Sequence, residues 1–187
     1  MNIEIVSGSP RAASVTHRLV LFLEKYLKSK TEHNINVLDV RDWQLPLLQQ
    51  EVYSQAGKAP EILQPLAKRM FEANAFILVS PEYNGSYTAP LKNVFDHFPK
   101  QAHKAFGIVT ASTGALGGMR AAQQMQLLIS ALFGIGSPYM LVTPHVDKRF
   151  DGEGNLLDPG FQKNIDVFIA EFLWLAENLA PEMQPII

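Results

Sequence analysis

Cysteine is absent from the 187-residue sequence, which removes disulfides, thiolate nucleophiles, iron–sulfur clusters and cysteine-ligated zinc in one step. Redox chemistry in this chain therefore requires a bound cofactor. An excess of either charge is also missing, because 16 Lys and Arg face 18 Asp and Glu for a net charge of −2. No bulk positive field gathers nucleic acid or an anionic membrane, and no acidic excess steers a cationic redox protein. Long hydrophobic runs are lacking too. The longest, around Leu127–Gly136 and Val167–Ala176, fall well short of the roughly 18 residues of a membrane span, and the second carries Glu171. Met1-Asn2-Ile3-Glu4-Ile5 has an acid where a secretory signal has its basic region. The expectation is a cytoplasmic protein without nucleic-acid or membrane partners.

What is present is a globular composition, 47% hydrophobic and 18% charged, which argues against a disordered or fibrous chain. A chain of this length fits a single domain over residues 1–187. Ile3, Ile5 and Val6 predict a short strand ending at Gly8. From Ala13 onward, Leu19, Phe22, Leu23, Tyr26 and Leu27 recur at the spacing of one helix face. Ile35 to Val40 predicts a second strand, and Ile62 to Phe71 a second helix, with a long Gln-rich loop between them. Phe76-Ile77-Leu78-Val79 reads as a strand covered on both faces. A helix through Leu91 and Phe98, a strand at Ala105–Ala111, a helix from Leu116 to Phe133 and a strand at Tyr139–Val142 follow. Asp158-Pro159 supplies a cap and a first-turn proline for a last helix reaching Leu179.

Strand and helix alternate throughout, the pattern of a parallel sheet covered by helices on both faces. Ligands in such sheets sit beyond the carboxyl ends of the strands. Two polar runs start at such ends: Gly8-Ser9-Pro10-Arg11-Ala12-Ala13-Ser14-Val15-Thr16 and Ser80-Pro81-Glu82-Tyr83-Asn84-Gly85-Ser86. In the first, Ser9, Ser14 and Thr16 offer hydroxyls, Arg11 a guanidinium, and the entering helix its unpaired N–H groups and dipole, which together suit a phosphate. The same residues also suit a plain helix cap beside a solvated arginine. In the second, Tyr83 and the amides near Asn84 and Gly85 suit the edge of a planar heterocycle, with Glu82 a candidate general acid. An Asx-turn with Tyr83 packed on the next helix is the alternative. Taken together, the two runs nominate FMN.

A third strand end, Ser112-Thr113-Gly114-Ala115-Leu116-Gly117-Gly118, joins them. Its glycines permit close approach to a ligand, and Arg120 suits the charged part of a nicotinamide cofactor; a plain helix start explains both as well. No P-loop is present, and the first run has only the first glycine of a dinucleotide fingerprint, so Asp39 at the end of the second strand reads as structural. His97 and His103 lack companions at ligand spacing, so no metal site is expected.

Gly8-Ser9-x-Arg11-x-x-Ser14, Pro81-Glu82-Tyr83-Asn84-x-Ser86 and Leu91-Lys92-Asn93, with Leu45-Pro46-Leu47 and Gly117-Gly118 beside Arg120, resemble the NAD(P)H-dependent FMN reductase family of flavodoxin-like proteins. The resemblance covers most of the chain. It implies a three-layer α/β sandwich around five parallel strands in the order 2-1-3-4-5. It also implies noncovalent FMN, with its phosphate held by Ser9, Arg11, Ser14, Val15 and Thr16. Pro81, Glu82, Tyr83, Asn84 and Gly85 would then line the isoalloxazine, and Ser112, Thr113 and Gly114 its far side. NAD(P)H would be the co-substrate and a flavin, quinone, azo compound or metal oxyanion the small acceptor, in a homodimer or homotetramer. No proton-transfer residue is assigned beyond Glu82 and Tyr83 as candidates. The chain departs from the pattern at Pro10, at Thr16 where asparagine is common, at Ala89-Pro90 and at His97, where tryptophan is frequent. An electron-carrier flavodoxin is the alternative function. Apolar residues on more than one face of the helix after Gly118, Met119 and Leu127 among them, predict either a subunit interface or a doubly covered core helix. The loop from Arg41 to Gly57 either shapes the acceptor pocket or covers that interface.

Overall fold

A strand that alternates with helices on both sides has to be apolar on both faces, and the central runs of this chain are. The structure, a computed structural model, describes residues 1–43, 45–49 and 52–180. Strand β1 (Asn2–Ser7) is followed by helix α1 (Val15–Lys30), β2 (Asn34–Asp39), α2 (Gln64–Glu72), β3 (Ala75–Pro81), α3 (Ala89–Asp96), β4 (Ala105–Ala111) and α4 (Met119–Ala131). Two short strands, β5 (Ile135–Gly136) and β6 (Leu141–Thr143), the one-turn α5 (Val146–Arg149) and α6 (Gln162–Leu179) complete the order. Every residue of β4 is buried, as is β3 up to Ser80.

The strands are parallel in the order β2-β1-β3-β4-β5, with β6 also on β4. Register places Ser7 beside Asp39 and Val79, Ser80 beside Thr110, and Pro81 beside Ala111. The carboxyl ends of β1, β3 and β4 therefore lie side by side. One core packs α1 and α6 on one face through Leu19, Leu23, Phe168 and Phe172. A second packs α2, α3 and α4 on the other through Met70, Phe95, Met125 and Ile129.

Two elements differ from the sequence expectation. The fifth strand position is filled by two pieces, β5 against Ala105 and Phe106, and β6 against Val109 to Ala111. Pro138 lies between them and has no N–H for the ladder. Helix α4 begins at Met119 and ends at Ala131, shorter than the apolar pattern, because Gly117 and Gly118 hold positive φ before it and Phe133 after it. In the loop after β2, Gln44, Gln50 and Glu51 lie outside the described residues. Among the described residues no helix is long and apolar enough to cross a membrane.

Candidate functional site

Helix α1 begins because Ser14, in extended conformation, turns its hydroxyl oxygen to the amide of His17 at 3.2 Å. The preceding loop leaves β1 at Gly8, whose N–H donates to Val79 O of β3 at 2.8 Å and whose carbonyl accepts the Thr88 hydroxyl. A side chain at Gly8 would put its Cβ 2.6 Å from Leu91 Cδ1 and 2.9 Å from Val79 O. Glycine is needed there because α3 packs onto the loop backbone. Thr88 is fully buried, accepts from Leu91 N as the cap of α3, and donates its own N–H to Ser80 Oγ at 3.2 Å. These bonds tie the loops after β1 and β3 into one unit.

Between the three strand ends lies a cleft of about 300 Å³ lined by Ser9, Arg11, Ala13, Ser14, Val15, Thr16, Pro81, Glu82, Tyr83, Ala111, Ser112 and Thr113. That volume is at the lower end of small-ligand pockets, about 300–1,000 Å³. At one end the first amides of α1, those of Val15 and Thr16, have no intrahelical acceptor, as at any helix start. With His17 N engaged by Ser14 Oγ, the serine proton stays available to donate. Ser9 and Thr16 are buried along this wall. At the other end the Arg11 guanidinium lies 5.0 Å from the centre of the Tyr83 ring, and the Tyr83 hydroxyl is buried without a partner among the described residues. A buried hydroxyl left unbonded costs about 1–3 kcal/mol, which a ligand atom accepting or donating there would recover.

The run after β3 turns on Asn84 and Gly85. Tyr83 N donates to Ser86 O at 2.9 Å and Ser86 N to Tyr83 O at 3.1 Å, while Asn84 and Gly85 have φ of 52° and 85°. Two central residues at positive φ make the Asn-Gly hairpin turn of type I′. Asn84 and Gly85 form its tip and do not line the cleft; neither does Gly114. Glu82 spans from this turn to α4. Its Oε2 accepts Arg120 N at 3.1 Å and Ala121 N at 3.4 Å, and its Oε1 the Arg120 guanidinium at 3.3 Å. Since Gly118 caps α4 without a side chain, Glu82 serves as that helix's anionic cap from a distance.

The third loop is held from beneath. Ser112 N donates to Thr143 O and Ser112 O accepts Val146 N, both at 3.1 Å, and Gly114 N donates to Ser112 Oγ at 3.0 Å. Gly117 and Gly118 make their close approaches to Val142, Pro144 and Thr110, so they seat α4 on the sheet. Arg120 faces Glu82.

Several participants carry no local sequence signal. Ala13 and Ala111 line the cleft, and Ser80 and Thr88 join its loops. Behind the first loop, Arg41 forks onto Asp39, and His17 Nδ1 lies 3.2 Å from Ser7 Oγ and 3.3 Å from Asp39 Oδ2. Burial would raise the Asp39 carboxyl, but the Arg41 bonds outweigh it and hold the group below its ordinary range. Burial, then the Arg41 charge, lower His17 against the pull of Asp39. His97 ends α3, buried, with Nδ1 on Asn93 O at 2.8 Å; His103 is an exposed turn residue at positive φ. On α4, Met125, Leu128 and Ile129 are core, whereas Met119 and Leu127 stay exposed beside Leu116, which excludes a helix covered on both sides within the monomer.

Set against known proteins, residues 1–144 match the family model described as NADPH-dependent FMN reductase. The chain is 27% identical over 180 residues to an FMN-dependent NADPH-azoreductase of Staphylococcus saprophyticus, covering 93% of this chain and 94% of that one. It is 29% identical over 174 residues to a probable NADPH:quinone oxidoreductase 2 of Oryza sativa subsp. japonica, covering 88% and 83%. Among solved structures it is similar in fold to FerB, a flavoenzyme NAD(P)H:(acceptor) oxidoreductase from Paracoccus denitrificans, with a TM-score of 0.74 at 20% identity over 95% of this chain and 98% of that one. The family model spans all three strand ends that border the cleft: the chain belongs to the NADPH-dependent FMN reductase family, oxidoreductases that use FMN with a nicotinamide co-substrate.

Proposed function

We propose that this chain takes electrons from NAD(P)H and delivers them through FMN to a small acceptor, a flavin, quinone, azo compound or metal oxyanion. One observation carries the reading: unbonded α1 amides, Arg11 and an orphaned buried Tyr83 hydroxyl all border a single cleft at three adjacent strand ends. The donor set fits FMN. Ser9, Arg11, Ser14 and the amides of Val15 and Thr16 would hold its phosphate. Pro81, Glu82 and Tyr83 would border the ring on one side, with Asn84 and Gly85 forming the turn tip that shapes this edge from outside the cleft. Ser112 and Thr113 would border the other, with Gly114 next to them just outside the cleft.

When bound, FMN supplies the electron chemistry, taking hydride from nicotinamide and releasing electrons to the acceptor. The protein's own contribution is placement. Arg11 would turn from the Tyr83 ring to the phosphate, freeing the ring edge and leaving the Tyr83 hydroxyl to bond the ligand. Glu82, engaged with α4 through both oxygens, holds the turn against the third loop. The relatives' printed activities toward azo compounds and quinones support an aromatic or quinonoid acceptor. The exposed Leu116, Met119 and Leu127 support a homodimer or homotetramer through α4, in a cytoplasmic protein.

The test is the visible spectrum of the purified protein with FMN under anaerobic conditions. NADPH alone should bleach the flavin bands and a quinone should restore them. A protein that holds FMN but stays yellow with NADPH and NADH is an electron carrier. A protein that takes up no FMN refutes the site.

A further inference from the structure

The Asp39–Arg41 pair lies outside the cleft, yet one of its bonds reaches the loop that forms the cleft's anion end. Arg41 Nε is 2.9 Å from Asp39 Oδ1 and its Nη2 is 2.6 Å from Oδ2, a bidentate fork that fixes the guanidinium plane. Asp39 Oδ1 also accepts Arg41 N at 2.9 Å, and its side chain is nearly buried. The remaining nitrogen, Nη1, donates to the carbonyl of Ala12 at 3.3 Å.

That bond bears on the direction of the next amide. A trans peptide is planar, so the carbonyl of one residue and the N–H of the next point to opposite sides, and no cis bond occurs among the described residues. With Ala12 O drawn outward onto Arg41, the N–H of Ala13 points the other way. Ala13 lines the cleft, and its N–H has no partner among the described residues. Ala12 and Ala13 are the central residues of a turn, and the Arg41 bond is the side-chain contact that holds its middle peptide in this orientation. A flipped plane would present a carbonyl oxygen to the anion instead of a donor.

We infer that Arg41 is a positioning residue for the phosphate: clamped by Asp39, it holds the Ala12–Ala13 peptide so that the Ala13 amide faces the anion. The inference rests on the proposed placement of the FMN phosphate at this loop. Arg41 acts through geometry and not through its charge alone. Lysine would keep the charge but has neither the fork nor the third nitrogen.

The experiment titrates apo-protein with FMN and with riboflavin, which differ only in the phosphate, for the wild type, Arg41→Gln and Arg41→Lys. Affinity is followed by flavin fluorescence and the Ala13 amide by its ¹⁵N–¹H signal. A hydrogen bond to a charged group sets the expected scale, so both variants should lose about tenfold or more of the preference for FMN, with riboflavin binding unchanged. The Ala13 signal should shift with FMN in the wild type and not in the variants. Recovery of the preference by Arg41→Lys would reduce Arg41 to a nearby charge and overturn the inference. An unchanged preference in Arg41→Gln, or equal weakening of FMN and riboflavin, would overturn it as well. A wild type that binds riboflavin as tightly as FMN would instead overturn the phosphate placement itself.

Discussion

Gly8→Ala tests whether the loop after β1, the proposed phosphate loop, is pinned to the sheet. The new methyl group would lie 2.6 Å from Leu91 Cδ1, 3.1 Å from Leu91 Cβ and 2.9 Å from Val79 O. The leucine terminus can rotate away at some cost, but Val79 O belongs to the β3 ladder and accepts Gly8 N. The loop must therefore lift, stretching that bond and the one from Thr88 to Gly8 O. Overpacking costs about 1–3 kcal/mol and a weakened buried hydrogen bond about 1 kcal/mol. Alanine returns about 0.4–1 kcal/mol by restricting the unfolded chain. The net destabilisation is about 2–3 kcal/mol, or a fall in Tm of about 4–12 °C for a chain of this size. Urea denaturation of the apo-protein measures it, and FMN titration should show weaker binding in parallel. Leu91→Ala removes much of the clash at its own cost of about 2–5 kcal/mol, so the double variant should be more stable than the sum of the singles by about 1 kcal/mol or more. A Gly8→Ala cost below about 0.5 kcal/mol, ordinary for a surface site, or strict additivity with Leu91→Ala, would refute the pinning.

Arg11→Ala should weaken FMN by about 5- to 30-fold and leave riboflavin unchanged. A charge-assisted contact of about 1.5–3 kcal/mol is lost, offset by the roughly 0.5–1 kcal/mol of Tyr83 stacking that Arg11 gives up on binding. Equal FMN affinity in calorimetry would move the phosphate's support to the hydroxyls and amides. Burial pushes Lys104 down from 10.5 to about 8, although its Nζ donates to Met70 O and Gln101 Oε1. Between those values the unfolded chain binds more protons than the folded one, so this group makes stability rise with pH. The rise is about 3 kcal/mol over the window, at 1.36 kcal/mol per pH unit. Lys104→Met should remove it, and parallel slopes of unfolding free energy from pH 7.5 to 10.5 would refute the assignment.

The sequence by itself determined most of the elements and the ends of β1, β3 and β4. Phe76 to Val79 and Ala105 to Ala111 read as doubly covered strands because they are apolar throughout, and β3 and β4 are central in the sheet. Ser14 was legible as the cap of α1 because a helix start needs a cap, a local requirement, and Ser9 and Arg11 line the cleft beside it. The tertiary structure alone decided the partnerships. Thr88 on Gly8 is separated by 80 residues and Arg41 on Ala12 by 29, and a lone threonine or arginine carries no pattern announcing such a contact. Glu82, read from its run as a cofactor-lining residue and candidate general acid, also caps α4, and only the fold shows that Gly118 leaves that helix without a side-chain cap. Periodicity likewise ran through Leu132 and Phe133 and could not show the positive φ that ends α4 early. Donor chemistry is carried by residue type and near neighbours, whereas the direction in which each donor points is set by contacts made across the sheet.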